Sequence, residues 1–370
     1  MFRIGPLDQE VDVDAQEPLR VALVAPPWYP IPPPAYGGIE AMVHWLAEGL
    51  VTRGHQVTVL GAGEPDTRAR FASTYPVPPT ERLGEAVPEV LHAAHVAQLL
   101  EEFNVEVVHD HSLAGPLAAA GRSTPTVLTA HGPVDGEFGA YYRRLGLPVV
   151  AISDFQRHTA APELPWVGRV HNAVPVATFP YRQDKQDFCL FLGRMSPDKA
   201  PDLAIQAAHA AGLPIVVAAK CNEPPERCYF QQRVRPLLGP HDTWFGEADA
   251  GEKCELLSRA RCLVFPIQWD EPFGLVMVEA MACGTPVVAL RRGSVPEVVE
   301  DGVTGWICRQ PDQLARGIAR ADRIDPAACR RRAERLFDLP RMVAGYEQVY
   351  RQVAGHRKPD RDLHLLTAAS

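Results

Sequence analysis

The 370-residue chain predicts an α/β protein made of two doubly wound parallel-sheet domains facing a central cleft. Three observations carry this expectation. Short β-branched runs alternate with stretches of helical periodicity, and the alternation restarts after the charged connector YRQDKQD (181–187). The length and a 46% hydrophobic content suffice for two ordinary cores. The expected divisions are a flexible acidic arm over 1–19, a first domain over 20–180, a second over 181–354 whose last helix can cross back, and a polar tail over 355–370.

RVALVAP (20–26) is too apolar for a strand with one wet face, so it predicts a parallel strand covered on both sides. After PWYPIPPPAYGG, residues Ile39, Met42, Val43, Leu46 and Leu50 fall on one helical face, Gly54 ends the helix, and QVTVL (56–60) starts the next strand. Gly37-Gly38 stands where that helix begins; it either lets a ligand approach the backbone or merely makes a tight turn. Further strands are expected at VEVV (105–108), TVLTA (126–130), VVAI (149–152) and RVH (169–171). His109-Asp110-His111, His131-Gly132, Ser153-Asp154 and Asn172 follow or end them, and ligand crevices in open parallel sheets lie beyond the carboxyl ends of the strands. These residues are therefore expected to line one cleft. The His109-Asp110-His111 run predicts no metal site, because alternate residues of an extended chain face opposite ways and no third ligand is evident. The second half repeats the pattern with strands at FCLFL (188–192), PIVVAA (214–219), CLVFPI (262–267) and PVVAL (286–290). A final helix from near Pro340 places Met342, Tyr346, Val349 and Val353 on one face.

A formal charge of −8 gives no footprint for nucleic acid or an anionic membrane, and no apolar run is long enough to predict stable membrane insertion. The N-terminus lacks the basic start and apolar core of a signal peptide. All eight cysteines lie between Cys189 and Cys329 with no CxxC pair, which predicts a reduced, cytoplasmic protein rather than a zinc site or a disulfide framework.

In WDEPFGLVMVEAMACGTPVVAL (269–290), Glu279 is the one charged residue of an otherwise apolar helix. An unpaired buried carboxylate is costly, so it needs a partner: a ribose diol, with phosphate at the helix start, or an arginine from a neighbouring helix. Arg194 and Lys199 follow FCLFLG closely enough to lean over the crevice, where two cations suit a diphosphate; surface ion pairing is the ordinary alternative. Lys220, after PIVVAA, can reach the same place. Glu271 either faces the ligand or is a loop carboxylate capping the helix.

Glu271, Glu279, the FGL between them, GRMSPDKAPDLAIQAA (193–208) and EPFGLVMVEAMACGTPVVALRRGSVPEVVEDGVTG together resemble the family-4 retaining glycosyltransferases, which have the GT-B fold of two Rossmann-like domains. The resemblance runs from about residue 20 to 350 and is densest over 188–305. It implies an acceptor-side N-terminal domain and a nucleotide-sugar-binding C-terminal domain. It further implies that Glu279 binds the ribose, that Glu271 and His131 touch the donor sugar, and that amides around Gly274, Leu275 and Val276 receive sugar and phosphate oxygens; for His131 a buried imidazole hydrogen-bonded to backbone is the alternative. Arg194 and Lys199 would neutralise the leaving diphosphate, with Gly37 and Gly38 against it across the cleft. The catalytic set it implies is Glu271, His131, Arg194 and Lys199, with no metal and no cofactor beyond the nucleoside diphosphate sugar itself, UDP favoured over GDP. Two residues depart from the family pattern, Ala200 and Ala173 standing where glycine is expected: the first carries no evident chemical cost, and at the second the turn after Asn172 is expected to differ slightly.

The expected activity is therefore transfer of a hexose-type sugar, with retention, to an acceptor hydroxyl. A nucleotide-sugar epimerase on the same fold, or a silent nucleotide-sugar-binding protein, is the alternative; intact Glu271, Glu279, Arg194 and Lys199 argue against the second. On the acceptor side, Trp28, Tyr29 and Tyr36 offer stiff aromatic surface among prolines, joined by Tyr141, Arg143 and Arg144. The two arginines suit a carboxylate or phosphate, or are a solvated face. With no Lys or Arg between Val21 and Gly38, a soluble acceptor is expected rather than a membrane foot.

Overall fold

A computed structural model of the chain describes residues 17–160 and 164–355. The expected arm and tail lie outside the described residues except for 17–19 and Gly355. In the first half the order is β1 (Arg20–Val24), α1 (Gly38–Thr52), β2 (Gln56–Ala62), β3 (Arg70–Tyr75), α2 (Ala86–Glu102), β4 (Val107–Asp110), β5 (Thr126–Thr129), α3 (Gly136–Leu145), β6 (Val149–Ala151), α4 (Asp154–Thr159) and β7 (Trp166–Arg169). The second half runs β8 (Gln186–Arg194), α5 (Pro201–Ala210), β9 (Ile215–Lys220), α6 (Pro224–Tyr229), β10 (Thr243–Gly246), α7 (Ala250–Arg259), β11 (Ala260–Phe265), α8 (Leu275–Ala282), β12 (Val287–Leu290), α9 (Val295–Val298), β13 (Gly305–Cys308), α10 (Leu314–Ala319), α11 (Pro326–Phe337) and α12 (Leu339–Gly355).

Two parallel sheets result, a seven-stranded one ordered β3-β2-β1-β4-β5-β6-β7 and a six-stranded one ordered β10-β9-β8-β11-β12-β13. The order reverses beside β1 in one sheet and beside β8 in the other, so each sheet opens a ligand crevice at the carboxyl ends of those strands. Val21 to Val24 of β1 are fully buried, as its uninterrupted apolar run requires of a central parallel strand. Every interior strand lies within a few residues of its expected place. The exceptions are at the sheet edges. β3, β10 and β13 are additional to the expected strands, and β7 ends at Arg169 instead of running 169–171.

The last helix, α12, follows the second half but packs on the first. Tyr346 and Tyr350 are fully buried beside Val43, Leu46 and Val150 in the first-half core. A Cβ on Gly49 of α1 would lie 2.4 Å from Val343 Cγ2, so the bare glycine is what lets α12 lie this close. Glu347 anchors the helix through Arg53 at 2.7 Å and His55 at 2.6 Å.

Candidate active site

The crevices of the two sheets face each other across a cavity of about 230 Å³. Two helices begin at it. α1 starts after Gly37 (φ 142°) and α8 after Gly274 (φ 76°), and neither takes a side-chain cap. First-turn amide groups of both helices are thus available to an anion. Glycine is needed at both positions: besides the positive φ, a Cβ on Gly37 would come within 2.7 Å of Pro33, and one on Gly274 within 2.7 Å of Met277.

Strand register supplies the cations. Arg194 and Lys220 end β8 and β9 opposite each other, and Lys199 follows in the loop before α5. Most of these charges are already paired. Lys199 Nζ donates to Glu271 Oε2, Lys220 Nζ to Glu223, and Lys253 Nζ of α7 to Glu279 Oε1 at 2.5 Å. Arg194 is the least engaged, with Asp198 at 3.4 Å and a buried Nε that has no hydrogen-bond partner. Burial works against the Lys253 charge, but the adjacent Glu279 carboxylate outweighs it and holds the ammonium above its usual pKa. The neighbour expected for Glu279 in the absence of ligand was an arginine; it is a lysine.

The loop carrying Glu271 is clamped from behind. Ser294 donates its amide to Glu271 O at 2.9 Å and its hydroxyl to Phe273 O at 2.7 Å. At Gly293 (φ 51°) a Cβ would fall 2.2 Å from Glu271 O. Ala200 has φ 53° and is the only non-glycine residue with positive φ among the described residues. The alanine therefore does carry a cost, in backbone conformation, where none was expected.

Gly37, Gly38, Arg194, Lys199, Lys220, Glu271, Gly274, Leu275, Val276 and Glu279 all line this cavity. Tyr36 and Lys253 line it too, without having been assigned to the donor side. A second cavity of about 750 Å³ adjoins it on the first-half side and shares Tyr36, Gly37, Gly38 and Arg194 with it. Trp28, Tyr29 and Tyr141 line the larger space; Arg143 and Arg144 are exposed on α3 and line neither.

The histidines stand deeper. His131 Nε2 meets His111 Nδ1 at 2.9 Å, while His109 Nδ1 meets the Tyr350 hydroxyl and its Nε2 the Thr129 hydroxyl, both at 2.7 Å. Burial pushes the His131 pKa down to about 3, so its imidazole is neutral at physiological pH. Neither His131 nor the His109-Asp110-His111 run lines either cavity, contrary to the cleft-lining expected of them. Of these, His109 packs against Tyr346 and Tyr350 of α12, His111 lies against the His109 ring, and half-buried His131 against His111. Among the described residues, the side chains that converge at metal-binding spacing are instead Asp154, His171 and Glu297, within 4.8 Å of one another. There the Glu297 carboxylate accepts from the amides of Asp154 at 2.9 Å and Phe155 at 3.2 Å and meets His171 Nε2, joining α9 to α4.

Residues 36–199 match the family model for Glycosyltransferase Family 4, and residues 179–335 the model for Glycosyl transferases group 1. The chain is a family-4-like glycosyltransferase of the GT-B fold. This glycosyltransferase is 26% identical to a phosphatidyl-myo-inositol mannosyltransferase of Mycolicibacterium smegmatis, over 91% of its own length and 95% of the relative's. Among solved structures it is similar to AviGT4, a glycosyltransferase involved in avilamycin A biosynthesis, with a TM-score of 0.73, 25% identity, and 92% and 99% of the two chains covered. The fold is also that of Anabaena Alr3699/HepE in complex with UDP-glucose, at a TM-score of 0.70 and 17% identity over 91% and 100% of the chains. No helix among the glycosyltransferase's described residues is long and apolar enough to cross a membrane.

Lys253 could have been anticipated as the cation the buried Glu279 requires; the DAGE capping box at 249–252 places it in the first turn of α7. The Gly293-Ser294 clamp has the weaker signal of a glycine and serine just before a short helix.

Proposed function

We propose that this glycosyltransferase moves a hexose-type sugar, with retention, from a nucleoside diphosphate sugar to an acceptor hydroxyl, and that the donor is a UDP-sugar. The observation that carries the proposal is Arg194. Its part-free, partly buried guanidinium stands in a cavity onto which two uncapped helix starts also open. Transfer breaks the bond between the anomeric carbon and the diphosphate oxygen and forms one to the acceptor oxygen, so negative charge grows on the diphosphate. Fixed cations and amides at that point stabilise the transition state more than the ground state. In this reading Arg194 and Lys199 receive the diphosphate, and Lys199 exchanges part of its contact with Glu271 for it. Glu271 is thereby freed toward the sugar hydroxyls, beside the amides of Gly274 to Val276. Glu279, its Oε1 held by Lys253, accepts from the ribose diol through its remaining capacity. The acceptor proton leaves on the departing phosphate, and no protein nucleophile, metal or organic cofactor is assigned. His131, which lines neither cavity, is given no contact with the sugar in this reading; through its contact with His111 it supports the first-half wall.

UDP is preferred because HepE, which shares the fold, was obtained with UDP-glucose. Cytoplasmic residence belongs to the same reading and is supported by the unpaired state of all eight cysteines. The test is a panel of UDP- and GDP-sugars scored for hydrolysis and for thermal shift. A charge-assisted hydrogen bond contributes about 1.5–3 kcal/mol, so Arg194→Ala is expected to slow turnover of the accepted donor about 10- to 150-fold. Glu279→Gln is expected to weaken UDP binding. Unchanged turnover in the first variant and unchanged UDP affinity in the second would sink the assignment.

A further inference from the structure

The larger cavity has a chemical character of its own. Trp28, Tyr29, Tyr36 and Tyr141 supply aromatic wall. Val90, Leu113, Leu117 and Phe138 also line it, although they are 58, 48, 62 and 41% exposed. On α2, Val87 and Leu91 extend the same apolar ground at 56 and 46% exposed. Of the ten large hydrophobic residues most exposed to solvent among the described residues, six thus gather on or beside one rim. Single exposed apolar residues are ordinary on a protein surface; a contiguous group around a concave site marks where something apolar docks.

The charges point the same way. Glu40, Glu85, Glu89 and Glu137 line the cavity, and among the described residues the one cation lining it is Arg194, at the wall shared with the smaller cavity. Burial pushes the Glu40 carboxyl up to about 8 and raises that of Glu89, whose Oε1 accepts from Trp28 Nε1 at 3.0 Å. Glu40 is thus uncharged near neutral pH and Glu85 is paired with Arg82 at 2.8 Å, so repulsion of an anion rests on Glu85 and Glu137 at the rim, away from Arg194 at the donor-side wall. Deep in the same wall, the Tyr29 hydroxyl is buried without a hydrogen-bond partner, in a residue only 8% exposed. A buried hydroxyl left unpaired is costly, and a polar group on a ligand would satisfy it.

We propose that the larger cavity binds the acceptor as a non-anionic small alcohol with an apolar body: its hydroxyl end lies inside, against Tyr29 and the Gly37-Gly38 wall shared with the donor, and its apolar part lies over Leu113, Leu117 and Phe138. This rests on the glycosyltransferase reading above and narrows its acceptor class. It also replaces the carboxylate or phosphate acceptor that Arg143 and Arg144 had suggested, since neither arginine reaches the cavity.

The experiment uses the full chain and needs no knowledge of the natural acceptor. Binding of octyl glucoside below its micelle-forming concentration, of glucose, and of glucose 6-phosphate is followed by calorimetry, with UDP measured in parallel. Octyl glucoside is expected to bind at least about 10-fold more tightly than glucose, because covering several CH₂ groups outweighs the common sugar contacts. Glucose 6-phosphate is expected to bind most weakly. Leu117→Ser and Phe138→Ser alter exposed residues and are expected to weaken octyl glucoside about 3- to 10-fold each while leaving UDP affinity unchanged. Glu85→Lys with Glu137→Lys is expected to raise the affinity for glucose 6-phosphate. Glucose 6-phosphate binding as well as octyl glucoside, or octyl glucoside binding indifferent to Phe138→Ser, would overturn the proposal. So would sedimentation with uncharged phosphatidylcholine vesicles that Phe138→Ser abolishes, which would make the rim a membrane contact. Failure of UDP to bind the unaltered chain would instead strike the donor reading, and the two failures are read separately.

Discussion

Ala200 is where a single residue departs from what its position demands. It ends the turn after Lys199 and precedes Pro201 at the start of α5, and its φ of 53° lies in the left-handed region. An L-residue there costs about 1–2 kcal/mol, whereas replacing alanine by glycine costs about 0.4–1 kcal/mol through the freer unfolded chain. The first effect is the larger, so Ala200→Gly is expected to gain up to about 1 kcal/mol, in contrast to the loss usual when glycine replaces alanine in regular structure. Urea denaturation of the two forms measures this directly, and a loss near 1 kcal/mol would refute the strain. Glu279 teaches a different lesson at the same scale. The sequence showed a carboxylate with no visible partner, and a partner was physically required. Lys253 meets that requirement from 26 residues away, on a helix that only the packing of α7 against α8 brings alongside.

The elements show which parts of the molecule a sequence discloses. Interior parallel strands are covered on both faces, so β1, β8, β11 and β12 read as continuous apolar runs. An edge strand is covered less completely. β3 reads RFASTY and β10 reads TWFG, both half-open to solvent, and their membership is set by neighbours such as Thr58 opposite Arg70 rather than by their own composition. That Gly37-Gly38, Arg194, Lys199 and the 271–279 segment line one cavity was expected from their places at helix starts and after strands and from the resemblance, although they lie in three separate segments. The apolar rim was not, since it is assembled from three separate segments, with three residues from α2, two from the segment after β4 and one from α3. The loop between β11 and α8 lies between these cases: Glu271 was foreseen, its clamp was not. Because a Cβ at Gly293 would overlap the Glu271 carbonyl, Gly293→Ala is expected to displace that loop and lower kcat by about 10-fold or more, given how steeply catalysis depends on placement. Since Gly293 lines neither cavity, UDP affinity is expected to change less than kcat. Equal turnover by the variant would show that the loop tolerates the shift.

Across the whole molecule, the two sheets are joined by features distant from the reacting groups. α12 straps the second half to the first-half core through Tyr346 and Tyr350, and on another side Glu297 of α9 docks on the start of α4. A carboxylate at a helix N-terminus, accepting two amide hydrogens and facing an imidazole, is favoured by both the hydrogen bonds and the helix dipole. Burial alone would raise the Glu297 pKa; His171 and the amides of Asp154 and Phe155 outweigh it, and the carboxyl lies below its usual range. A depressed folded-state pKa means that the stabilisation is present above the ordinary carboxylate value of about 4.3 and is lost as pH falls through the lower folded value. At pH 7 the contact is therefore fully formed. Glu297→Ala removes it, and since hydrogen bonds to a charged group contribute about 1.5–3 kcal/mol and do not add fully, a loss of about 2–3 kcal/mol is expected at pH 7. The difference between the two proteins is expected to shrink as the pH is lowered below 4.3, because the unaltered protein then loses the same interaction. Chemical denaturation at a series of pH values tests both parts. A difference that stays constant into acid would mean that Glu297 acts through packing rather than charge. Small-angle scattering of the variant at pH 7 adds the geometric reading: with this contact gone and the α12 strap intact, the halves are expected to open about the side that α12 holds, enlarging the radius of gyration without unfolding either sheet.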